Sequence, residues 1–166
     1  MRDTQQLYIV TRHTDYGNTL VAYTEHGICS IQLGDEEEEL ELMLRQDFPE
    51  AVFVDGTTQH ENWINSVYAF IDGETEKYGE FPLDIYGTPF QKKVWNALRE
   101  IPRGEMCSYT EVATKISSPK AVRAVATACA NNKLAIVIPC HRVVREDGAT
   151  TRRVPMRLCK TDTQIL

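Results

Sequence analysis

Ile138-Pro139-Cys140-His141-Arg142 sets a nucleophile directly beside a base and a permanent cation. A thiol reacts as its thiolate, and neighbouring imidazole and guanidinium groups favour that form. Proline has no N–H to donate, so Pro139 ends the strand pairing expected of the apolar run Leu134–Ile138 just ahead of the thiol. Consecutive residues of an extended chain point to opposite faces, so Cys140 and His141 can cooperate only if the chain bends there or a water links them. The first expectation is therefore nucleophilic chemistry at Cys140, with His141 as its base.

The other thiols and imidazoles do not compete for that role. Cys29, Cys107, Cys129, Cys140 and Cys159 are odd in number and include no Cys-x-x-Cys pair, so a disulfide framework is not expected and a reducing cytoplasm is. His13, His26 and His60 have no ligand spacing among themselves, and Gly27 between His26 and Cys29 suits a hairpin better than a metal site. No metal is expected. No run approaches the roughly 20 apolar residues of a membrane span, and Met1–Gln6 lacks the apolar core of a signal peptide. With 166 residues, 42% hydrophobic and 25% charged, the composition is that of a soluble globular protein of one domain or two small lobes.

Charge divides the chain. Residues 1–84 carry 4 basic and 18 acidic side chains, a net of −14, whereas residues 85–166 carry 14 basic and 6 acidic, a net of +8. Such asymmetry points to a polyanion as the partner of the second half, with mutual attraction of the halves as the plainer alternative.

The elements that must position the thiol follow from periodicity and punctuation. Leu7–Arg12, Thr19–Glu25 and Ile28–Leu33 are β-rich runs joined at Tyr16-Gly17-Asn18 and Glu25-His26-Gly27, an antiparallel meander. Asp35–Glu41 reads as a solvated helix face, and a second helix is expected over Thr58–Asp72, with Trp63, Val67, Phe70 and Ile71 on one face and Gly73 as its stop. Thr88-Pro89-Phe90-Gln91 is a capping box opening a helix whose apolar face is Phe90, Val94, Trp95 and Leu98. Ser108-Tyr109-Thr110-Glu111 is another, and Ser118-Pro119 opens a third helix to about Ala130 with Asn131 as its C-terminal cap. Two short helices joined tightly at Ser117-Ser118 suggest a helix-turn-helix. The chain is thus expected to be an α/β (α+β) protein. Residues 1–84 form a scaffold lobe, an N-terminal antiparallel β-meander with helices. Residues 85–166 form a C-terminal, mostly helical lobe containing the helix-turn-helix.

Lys120, Arg123, Ala124, Thr127 and Asn131 share one face of the third helix, opposite Val122, Val125, Ala126 and Cys129. A helix reading the major groove offers Asn, Gln or Arg arrays toward base edges. Small residues instead allow close approach to a narrow groove, with Arg123 free to push into the base stack.

Pro119-Lys120-Ala121-Val122-Arg123-Ala124-Val125, Asn131-Asn132 and Ile138-Pro139-Cys140-His141-Arg142-Val143-Val144 together resemble the O6-alkylguanine-DNA alkyltransferases, above all their bacterial members. The likeness is dense from about Thr88 to Gly148 and weaker over the first lobe. It implies direct-reversal DNA repair, in which Cys140 accepts the alkyl group of O6-alkylguanine, and of O4-alkylthymine, irreversibly. His141 matches the base that acts on the thiol through a water. Tyr109 matches the tyrosine that aids protonation of the departing guanine, and Asn132 the hinge that fastens the helix-turn-helix to the acceptor segment. Arg123 matches the finger that fills the gap left by a flipped base, on a helix (Lys120, Ala124, Thr127) lying in the minor groove. The implied partner is double-stranded DNA carrying the lesion, met by a monomer with no membrane and no cofactor. Guanine O6 lies inside the duplex, so a thiol reaches it only if the base swings out. The product is a thioether that nothing in the chain hydrolyses, which makes the protein a single-turnover acceptor.

The chain departs from the family after Gly148. A Gly-Tyr-Arg-Trp-Gly-type loop and a helix bearing the glutamate that orients the histidine normally follow, but here Ala149–Leu158 is Ala-Thr-Thr-Arg-Arg-Val-Pro-Met-Arg-Leu. No acidic residue stands where that glutamate would fall, and Glu146 and Asp147 read as a turn with Gly148. A second reading, a lesion-binding or sensing protein with little or no transfer, stands beside the first for that reason. A cysteine hydrolase is a third, and it would need an oxyanion hole.

Overall fold

Three consecutive strands, β1 (Gln6–Thr14), β2 (Gly17–Thr24) and β3 (Gly27–Gly34), pair antiparallel through two-residue turns, with one shift of register between β2 and β3 at Ala22/Tyr23. The computed structural model describes residues 5–73, 81–102 and 104–145. The chain divides into two compact units, Met1–Ile85 and Tyr86–Leu166, and the fold combines helices and strands as expected. Both hairpins of the first unit use the same local device. A threonine at the end of each strand, Thr14 or Thr24, takes the N–H of the second turn residue, Tyr16 or His26, at 3.1 Å on its hydroxyl. Glycine then restarts the next strand with positive φ, 100° at Gly17 and 151° at Gly27. Side-chain space is also closed at Gly27, where a Cβ would stand 2.6 Å from the Pro82 carbonyl oxygen.

The meander carries one element that its sequence pattern does not announce. Val52–Asp55 forms β4, which pairs parallel to β1 and completes the order β3-β2-β1-β4. β2 sits inside that sheet and is buried along almost its whole length. Helix α1 (Glu37–Asp47) lays Leu40 and Leu44 into the core and leaves Glu37, Glu38 and Glu39 in its first turn, where the helix dipole favours negative charge. Helix α2 runs over Glu61–Ile71, three residues later than Thr58, and its buried face is Ile64, Val67, Tyr68 and Ile71. Trp63 and Phe70, expected on that face, are only half-buried. Its Tyr68 hydroxyl lies at hydrogen-bonding distance from the carbonyls of Thr19 (2.7 Å) and Val10 (3.1 Å). Burial holds that phenol above its ordinary titration range.

In the second unit the helices are short, and side chains cap the starts of the first two. Helix α3 (Pro89–Arg99) opens on the complete capping box, with Gln91 N–H on Thr88 Oγ1 at 3.1 Å and Thr88 N–H on Gln91 Oε1 at 2.9 Å. Val94, Trp95 and Leu98 are fully buried, whereas Phe90 is not. Helix α4 (Tyr109–Lys115) starts at Ser108, whose Oγ accepts Glu111 N–H at 3.0 Å. It ends in a Schellman motif: Ser117 N–H reaches the Thr114 carbonyl at 3.0 Å, Ser118 N–H the Ala113 carbonyl at 2.9 Å, and Ser117 adopts φ 60°. Helix α5 begins at Val122, not at Ser118-Pro119, and runs to Ala130. Ser118–Ala121 instead forms a turn closed by Ala121 N–H on the Ser118 carbonyl at 2.9 Å. The reason is local: Ser117 has already swung the chain left-handed, and one further turn is needed before α5 can start. Two short strands, β5 (Cys107–Ser108) and β6 (Val143–Val144), pair parallel within this otherwise helical unit.

Candidate active site

The apolar run ahead of the thiol is not a strand. From Asn132 to Arg142 the chain is a series of tight turns gathered by one side chain, because Asn132 is buried and its amide uses both ends. Leu134 N–H donates to Oδ1 at 2.9 Å, and Nδ2 donates to the Ile138 carbonyl at 2.7 Å. Ile138 N–H closes on the Leu134 carbonyl at 2.9 Å, and Val137 N–H on the Ala135 carbonyl at 2.8 Å. At Pro139 the backbone takes φ −81° and ψ 67°, and Cys140 N–H meets the Ile138 carbonyl at 2.8 Å, an inverse γ-turn. The chain then makes a 3-10 turn over Cys140–Arg142, so it does bend at the thiol. The missing N–H of Pro139 serves a turn and not the end of a strand.

This turn is fastened at two further points. Arg142 Nη1 donates to the Ile101 carbonyl, just past α3, at 3.0 Å. Val143 pairs with Cys107 and Val144 with Ser108, so the two residues leaving the Cys140 turn are stitched to the strand that ends in the cap of α4. Tyr109, the next residue, is thereby carried into the same region. Cys140, His141, Tyr109 and Asn132 are all buried, with Cys140 at 7% exposure and His141 at 2%. Of the four described cysteines, none of them in a disulfide, Cys129 on α5 faces inward. Burial, and after it the charge of Cys140, pushes the Cys129 thiol up to about 12. It stays protonated at neutral pH and is a poor nucleophile.

The face assigned to a polyanion is exposed: Lys120, Arg123, Ala124, Thr127 and Asn131 all meet solvent. Lys120 precedes α5 in the turn and is not on the helix itself. Thr127 Oγ1 donates back to the Arg123 carbonyl at 3.0 Å and Asn131 Nδ2 to the Thr127 carbonyl at 2.9 Å, so the hydrogen of the Thr127 hydroxyl is used within the helix. The N-cap of α5 is Ala121, which makes no side-chain cap. First-turn N–H groups without such a cap favour an anion. On the inner side Val125, Ala128 and Cys129 are buried, and Trp95 Nε1 donates to the Ala128 carbonyl at 2.8 Å.

Trp95 is expected on the apolar face of α3 and Ser117 at the joint between two helices, but nothing local to either announces the Trp95 bond to Ala128 or the left-handed backbone of Ser117. Arg142 has a local signal only in its place in the pentapeptide, and the left-handed backbone of Ile136 has none. Glu146, Asp147, Gly148 and residues 149–166 lie outside the described residues.

A family model described as 6-O-methylguanine DNA methyltransferase, DNA binding domain, matches residues 89–164. The constitutive methylated-DNA–protein-cysteine methyltransferase of Bacillus subtilis is 37% identical over 150 residues, covering 87% of this chain and 84% of that one. The chain belongs to this methyltransferase family. The bifunctional transcriptional activator/DNA repair enzyme Ada of Escherichia coli is 50% identical over 134 residues, which are 81% of this chain and 38% of Ada. The chain therefore spans well under half the length of that relative. Mycobacterium tuberculosis OGT, solved in complex with DNA, superposes with a TM-score of 0.71 at 26% identity, covering 96% of this chain and 93% of that one. The match of the methyltransferase family model includes residues 149–164, the stretch whose composition departs from the family pattern.

Proposed function

We propose that this methyltransferase family member repairs O6-alkylguanine in duplex DNA by taking the alkyl group onto Cys140. O4-alkylthymine is a second substrate of the same kind. The observation that carries the reading is the acceptor turn. Cys140 and His141 start a 3-10 turn at the end of a loop whose residues Leu134 and Ile138 are clamped by the Asn132 amide, and the same unit presents an exposed helix face of small residues beside Arg123.

Each step has a residue suited to it. Lys120 and the uncapped start of α5 attract phosphate, and Ala124 and Thr127 allow the helix to lie close in the minor groove. Arg123 occupies the gap left when the damaged base turns out of the stack. His141 takes the Cys140 proton through a water, and the thiolate attacks the alkyl carbon. The S–C bond forms as the C–O6 bond breaks, with that electron pair passing to guanine. Tyr109 helps supply the proton that neutralises the departing base. The thioether remains on Cys140, so each molecule acts once, as a monomer and without a cofactor.

The test is to incubate the protein with a duplex containing O6-methylguanine and measure its mass. The expected result is a gain of one methyl on Cys140, none in Cys140→Ala, and DNA binding retained in that variant. An unchanged wild-type mass with DNA still bound would mean lesion sensing and overturn the reading.

A further inference from the structure

The acceptor loop contains a backbone conformation that its residue type disfavours. Ile136 has φ 71°, a left-handed value that glycine and asparagine tolerate and a β-branched residue does not. The Val137 N–H to Ala135 carbonyl bond spans it, so Ile136 is the central residue of a γ-turn of the strained hand. Three residues later Pro139 makes a γ-turn of the opposite hand, directly before Cys140.

Geometry explains why so tight a reversal stands there. Leu134 N–H and the Ile138 carbonyl both bond to the one amide of Asn132. An extended run of five residues would hold its ends roughly 13–16 Å apart, far beyond the reach of a single amide. Within the run Ile138 N–H also returns to the Leu134 carbonyl, and its carbonyl receives Cys140 N–H. The left-handed turn at Ile136 thus lies midway along a ring closed by the Asn132 amide, and the acceptor residue is bonded to the last carbonyl of that ring.

We infer that Ile136 is a positioning residue for Cys140. Its half-buried, branched side chain holds the strained turn in one state, and the turn fixes the direction in which the chain enters the acceptor site. Strained conformations persist where the surroundings over-determine them, and they cluster at sites that need preorganisation. Glycine at 136 would occupy either hand freely and leave Cys140 less closely held. The inference rests on Cys140 being the alkyl acceptor.

The experiment measures single-turnover transfer from an O6-methylguanine duplex at saturating DNA, duplex affinity, and the pH profile of Cys140 alkylation by iodoacetamide. Ile136→Gly is expected to slow transfer at least about tenfold, since small misplacements of reacting groups carry penalties of that order. Its duplex affinity and the pH midpoint of iodoacetamide alkylation should match the wild type. Ile136→Val, which keeps the branched side chain, should restore transfer to within about threefold, well inside that penalty. Ile136→Ala is the second variant should glycine prevent folding; it keeps the backbone penalty, loses the branched side chain and is expected to be slow too. Folded glycine and alanine variants that transfer within twofold of wild type would overturn the inference. So would a loss of affinity equal to the loss of rate, or a valine variant as slow as glycine. No methyl gained by the wild type would instead overturn the assignment of Cys140.

Discussion

The two units handle left-handed backbone in opposite ways. In the first, among the described residues, every positive-φ position is glycine: Gly17, Gly27 and Gly73. In the second, Gly104 is joined by Ser117 and Ile136, whose side chains resist that conformation. Ser117 sets the turn between α4 and α5, and Ile136 sits in the loop that delivers Cys140. The first unit turns where turning is easy. The second unit, which bears Cys140 and the exposed Arg123 face of α5, turns where turning is costly, and local strain of this kind accompanies preorganised sites.

Three substitutions would break or sharpen this contrast. Asn132→Ala carries the largest effect. It strands the buried Leu134 N–H and weakens the hold on Ile138, for a loss of about 2–3 kcal/mol in stability, and transfer to Cys140 should fall with it. Denaturant melts and the methyl-transfer assay, read together, check both. Tyr68→Phe comes next: it removes the hydroxyl shared by the Val10 and Thr19 carbonyls, with an expected cost of about 1–2 kcal/mol. The transfer rate per folded molecule should stay at the wild-type value, and a slowed rate would erase the division between scaffold and reactive unit. Ser117→Gly is the smallest and has the opposite sign. Glycine is at home at the Schellman position, so a gain of about 0.5–1 kcal/mol is expected, with duplex affinity unchanged. A loss of stability on thermal melting would show that Ser117 is not strained.

The same contrast accounts for what could be read from the chain itself. Hairpins announce themselves: β-branched runs flank Gly17 and Gly27, and the Thr14 and Thr24 hydroxyls each accept an N–H from the residue two positions on. The Thr88 capping box is equally local and is found complete. β4 escaped because a four-residue, largely exposed strand pairing parallel with β1 has no turn beside it to mark the partnership. The start of α5 was misplaced because Ser118-Pro119 carries a cap signature, while Ser117 spends those residues on a turn. Leu134–Ile138 looked like a strand because apolar residues suit one, and only the Asn132 amide folds them into a ring. The pentapeptide marked the thiol and its neighbour, but their setting depends on Arg142 reaching Ile101 and on β5 meeting β6, contacts across about 40 residues that no short window contains.

The chain has two tryptophans, one in each unit. Trp63 is half-buried and stacks on the His60 ring with centroids 3.8 Å apart, while Trp95 is 1% exposed and hydrogen-bonded to Ala128. The protein therefore carries its own pair of optical reporters. Trp63 should emit to the red, and Trp95 to the blue as long as α3 and α5 stay docked. Intrinsic fluorescence at two wavelengths can follow each unit through a denaturant titration, and coincident or separate transitions would tell, without any label, whether alkylation loosens one unit or both.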